Sequence, residues 1–135
     1  MQTVEICIQL DPAKDGINWI PNKVIPNNRH ALIIGTNGKS RIIDEDEALV
    51  ILDSMAGFGR SEYMGSTDFL VAFNASKVIR AGASEYIAGS VLILKSGKNG
   101  IAFMTDEEIE QARTEFVARI VTLCADGVSF SAYEI

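Results

Sequence analysis

Thr105-Asp106-Glu107-Glu108, placed directly after the apolar Ile101-Ala102-Phe103-Met104, constrains this chain more than any other stretch. A threonine followed three residues later by glutamate satisfies two amides that a helix start would otherwise leave orphaned. The Thr105 hydroxyl takes the Glu108 amide, and the Glu108 carboxylate takes the Thr105 amide. Met104 and Ile109 stand where a hydrophobic staple forms, and three acids meet the positive end of the helix dipole. From there Ile109, Ala112, Phe116, Ile120, Leu123 and Cys124 recur near the helical period, and Gly127 offers a stop. The pattern predicts one long helix over 105–125.

A helix with an apolar stripe must cover something, and the nearest candidate precedes it. Ser90-Val91-Leu92-Ile93-Leu94-Lys95 and Ile101 to Met104 flank Ser96-Gly97-Lys98-Asn99-Gly100, which reads as a hairpin with a loop of five residues. A second hairpin joins His30 to Gly35 with Ser40 to Ile43 through Asn37-Gly38. Phe69 to Phe73 reads as a buried strand, Val128 to Ile135 as an alternating terminal strand, and Thr3 to Leu10 as a first strand. Acids at 44–47 before Ala48 to Gly57 suit a short helix near Asp46 to Met55. The expected fold is a single α+β domain over residues 1–135. It has a mainly antiparallel sheet with one long C-terminal helix packed on one face.

Gly38-Lys39-Ser40 copies the end of a phosphate-binding loop. The first glycine of that motif would fall on Ile33, and Arg41-Ile42-Ile43 continues as strand instead of opening a helix toward phosphate. Nucleotide binding is not expected. His30 is the only histidine, Cys7 and Cys124 lie in apolar patterns, and the four consecutive acids cannot all converge on one ion. Neither a metal nor a cofactor is expected, and no catalytic residue is assigned.

Twelve basic against eighteen acidic residues give a formal charge of −6, which opposes binding to nucleic acid or anionic lipid and suits a partner with a basic surface. No apolar run reaches the roughly 18 residues of a membrane span, and the start lacks a signal-peptide pattern, so the expected compartment is the cytoplasm.

Two long polar stretches, Asp11 to Arg29 and Phe58 to Asp68, read as loops with room for recognition. The first holds Trp19, either a core plug or an interface anchor. The second holds Arg60, Glu62 and Tyr63. These four are the candidate partner-binding residues.

Asn74, Tyr86 to Leu94 with its glycine turn, and Thr105 to Phe116 resemble part of a domain-of-unknown-function family carried by phages, plasmids and conjugative elements. The resemblance covers less than half the chain. It implies a mobile-element accessory protein, and the expected function is non-enzymatic binding or inhibition of a host protein. Two alternatives stay open. One is a small-molecule binder or small enzyme built from 58–68 with Arg80; the other is a self-assembling structural protein, for which a homo-oligomer through the terminal strand is the natural form.

Overall fold

The computed structural model describes residues 29–55, 57–98 and 100–135. The expected first strand, most of the first long loop, Cys7 and Trp19 lie outside the described residues.

Ten strands and two α-helices follow in order among the described residues. The first are β1 (His30–Gly35), β2 (Ser40–Asp44), α1 (Glu45–Ser54), β3 (Gly59–Tyr63) and β4 (Phe69–Asn74). After a 3-10 turn at Ala75–Lys77 come β5 (Val78–Ala81), β6 (Ser84–Ile87), β7 (Ser90–Gly97) and β8 (Gly100–Ala102). The chain then runs through α2 (Asp106–Ala118), β9 (Ile120–Ala125) and β10 (Val128–Glu134). It is an α+β fold in which every pairing among the described strands is antiparallel.

The larger sheet has the order β2-β1-β7-β4-β3, with β8 paired to the far end of β7. Its central strand explains the apolar run in the sequence. Val91 and Ile93 enter one core with Leu32, Val71 and Phe73, while Leu92 and Leu94 enter another with Ala31, Ala72 and Ile43. Successive side chains point to opposite faces, so a strand covered on both sides carries no polar alternation. α2 covers the first face through Ile109, Ala112 and Phe116, and α1 covers the second through Ala48 and its half-buried neighbours Ile51 and Leu52.

The helix start is as its sequence requires. Thr105 Oγ1 accepts from the Glu108 amide at 3.2 Å, and Glu108 Oε1 accepts from the Thr105 amide at 3.0 Å. The helix end is a correction. α2 has 13 residues and stops at Arg119, and Ile120 to Ala125 is strand β9 rather than a continuing helix. The deciding signal is Asp126-Gly127, where φ is +51° and +78°. Two consecutive positive φ values make the tight turn whose twist matches paired strands, and β-branched Ile120, Val121 and Thr122 favour the extended form before it. In place of one long terminal helix, the 13-residue α2 is followed by a β-hairpin. β10 joins that hairpin to a second sheet, of order β5-β6-β10-β9, which meets the first-face core through Ile87 and Tyr133.

The loop expected over 58–68 is also corrected, since β3 occupies Gly59–Tyr63 and pairs along β4 from Gly59↔Asn74 to Tyr63↔Leu70. Arg60 and Glu62 hid it by putting charge where a half-buried strand usually carries apolar residues. The β7–β8 turn is tighter than expected, with pairing reaching Gly97↔Gly100.

Candidate interaction surface

Arg60 and Glu62 sit two residues apart on β3 and therefore on the same face of the larger sheet, the face turned toward the second sheet. There Arg60 Nε donates to Glu62 Oε2 at 2.9 Å and Arg60 Nη2 to Glu85 Oε1 of β6 at 2.8 Å. Arg80 of β5 reaches the other Glu85 oxygen at 3.0 Å, and the Arg60 guanidinium lies 5.7 Å from the centre of the Phe73 ring. The Arg60 hydrogen bond holds the Glu85 carboxyl below the usual carboxylate range, and the same bond, with that to Glu62, holds the Arg60 guanidinium above its ordinary value. Two cations and two anions satisfy one another, so this cluster acts as a strut between the sheets.

Tyr63 is not part of it. It lies on the opposite face of β3, where its hydroxyl meets Ser96 Oγ at 3.2 Å and the residue is 56% exposed. The fold thus unites Arg60, Glu62 and Arg80 around a residue the sequence did not single out, Glu85, and separates them from Tyr63.

The surface that sequence reasoning missed is the β9–β10 hairpin. Its register runs from Ile120↔Tyr133 to Ala125↔Val128, but β6 pairs only with its base, at Tyr133 and Glu134. From Val121 to Ser131 no residue is buried. The hairpin is therefore an arm that leaves the body with both faces accessible. Alternation sorts its side chains: Val121, Leu123, Ala125, Val128 and Phe130 share one face, and Thr122, Cys124, Ser129 and Ser131 the other. Val128 is 64% exposed at the tip.

The outer edge of this arm is unusual within the molecule. A strand edge presents unpaired amides and carbonyls to any other strand, and proteins commonly guard such edges with charge. β2 carries Arg41 and Asp44, β3 carries Arg60 and Glu62, and β5 carries Arg80. β8 is uncharged but spans three residues. β9, with six residues reading Ile-Val-Thr-Leu-Cys-Ala, has neither charge nor proline and ends the second sheet among the described strands. The Asp126-Gly127 pair between two alternating runs was the sequence signal for this arm.

No known protein family, curated protein or solved structure matches the chain. Among the described residues no group of three His, Cys, Asp or Glu side chains is placed to hold a metal ion, and no helix is long and apolar enough to cross a membrane.

Proposed function

We propose that this chain is a non-enzymatic binding protein whose recognition element is the β9–β10 arm, with the β9 edge accepting an extended, uncharged segment of a partner protein. The single observation that carries the reading is the unguarded β9 edge on an arm without buried residues from Val121 to Ser131. Strand addition draws affinity from main-chain hydrogen bonds and specificity from alternate side chains, and the Leu123–Phe130 pair supplies an apolar contact of that kind. The formal charge of −6 lies off the edge itself and favours a partner whose surrounding surface is basic, by steering its approach. That the partner is a host protein, and the chain a product of a phage or other mobile element, rests on the family resemblance alone.

The test places a photo-crosslinking amino acid at Thr122, captures the partner from host lysate, and compares its affinity for the native chain and for a Thr122→Lys, Cys124→Lys double variant. Both lysines fall on the polar face, so the Leu123–Phe130 contact stays intact. A loss of at least about tenfold is expected, because edge lysines oppose strand addition. Unchanged affinity, or crosslinking from Tyr63 but not from Thr122, refutes the reading.

The same edge also supports self-pairing. A second copy laid antiparallel along β9 would extend the second sheet across a two-fold axis. Light scattering separates the two, since a dimer lost in the double-lysine variant favours self-assembly and a monomer at every concentration favours a foreign partner.

A further inference from the structure

A cleft of about 340 Å³ opens on the α1 side of the larger sheet, at the lower end of the size range of small-molecule sites. Its floor is Ile33, Ala72 and Leu92 from three adjacent strands, and its wall is Ile51 and Met55 of α1. Ile33, Ile51 and Met55 are only half-buried, so apolar surface stays in contact with the space.

One end of the cleft is polar. Asn74 Oδ1 accepts from the Ser76 amide at 2.9 Å and from Ser76 Oγ at 2.7 Å, which leaves the Asn74 amide nitrogen as its donor. Ser90 adds an exposed hydroxyl, and Lys77 adds an ammonium that pairs with no described acid. Among the described residues Lys77 is the one charged side chain lining the cleft, in a chain whose net charge is negative. The sign of that charge selects the ligand.

The geometry points to a binding site for a compact amphiphilic monoanion, a medium-chain or aryl carboxylate. The apolar body lies over Ile33, Leu92 and Met55, and the head group takes donors from Lys77 Nζ, Asn74 and Ser90. This site is independent of the β9 edge and stands or falls separately from it.

Amide chemical-shift titration of the full chain tests it, with sodium decanoate below its micellar range and with decanol and decyltrimethylammonium as neutral and cationic counterparts. Saturable shifts at Ile51, Ala72 and Leu92 are expected with decanoate. They should weaken about fivefold in Lys77→Gln, the scale of one exposed charge pair, while decanol binding is unchanged. Ser54→Phe, at the exposed rim, should block all three ligands. Absence of saturable cleft shifts, equal affinity for the cation, or indifference to Lys77→Gln each overturns the assignment. Spectra of the free variants confirm that both remain folded.

Discussion

The ring of Phe116 on α2 lies nearly flat against that of Tyr133 on β10, with centroids 4.7 Å apart and planes 9° from parallel. Both residues are buried, and the pair is where the arm is fastened to the body. Removing one ring removes its burial and the stacking together. Tyr133→Ala should therefore cost about 3–5 kcal/mol, whereas Tyr133→Phe, which keeps the stack, should cost less than about 1 kcal/mol. Urea unfolding midpoints of the two variants check this, and equal losses would show that the ring contact is not what matters.

The same tyrosine sets an alkaline limit. Burial, more than the neighbouring Glu62, pushes the Tyr133 hydroxyl up, while Arg119 pulls against it. A raised folded-state value means that the native state holds the proton more tightly. Its stabilisation is complete below the unfolded tyrosine value of about 10 and is lost as the pH rises through the folded value. Stability should fall at high pH in the native chain and fall less in Tyr133→Phe.

At the acid end the corresponding group is Glu108, which ties the start of α2 to β7. It closes the capping box with Thr105 and forms an ion pair with Lys95 of β7. The Lys95 hydrogen bond first, and the Thr105 amide second, hold its carboxyl below the ordinary glutamate range. A depressed folded-state value gives stabilisation that is complete above the unfolded value of about 4.3 and is lost as the pH falls through the folded one. Glu108→Gln should flatten the acid limb of the stability profile. Thr105→Ala should cost about 1 kcal/mol at neutral pH by removing the cap. A neutral-pH midpoint unchanged by Thr105→Ala would contradict the capping argument.

The arm depends on its turn. Gly127 adopts φ +78°, a conformation that a β-branched residue strongly resists, so Gly127→Val should open the hairpin tip and cost more than about 1 kcal/mol. Faster amide exchange confined to β9 and β10, with α2 and β7 unchanged, is the expected result.

How much of this was legible in the sequence follows from where each signal resides. Asn37-Gly38, the Thr105–Glu108 pair and the alternation of Val128 to Glu134 are local, and each yields its element directly. Ile120, Leu123 and Cys124 misled because their spacing also fits a helix. What decides for strand is the β-branched run and the Asp126-Gly127 turn behind it. Arg60 and Glu62 were visible as residues but not as a strut, since Glu85 reaches Arg60 from 25 positions away in the chain. The unguarded character of β9 is a property of sheet order, which no single stretch encodes.

Hydrogen exchange of the chain alone and bound to its captured partner tests the role of the arm most directly. The β9 amides along the outer edge should exchange quickly in the free chain and become protected on binding, together with those flanking Leu123 and Phe130. Protection confined to β3, around Arg60, Glu62 and Tyr63, with β9 still exchanging at its free rate, would contradict it.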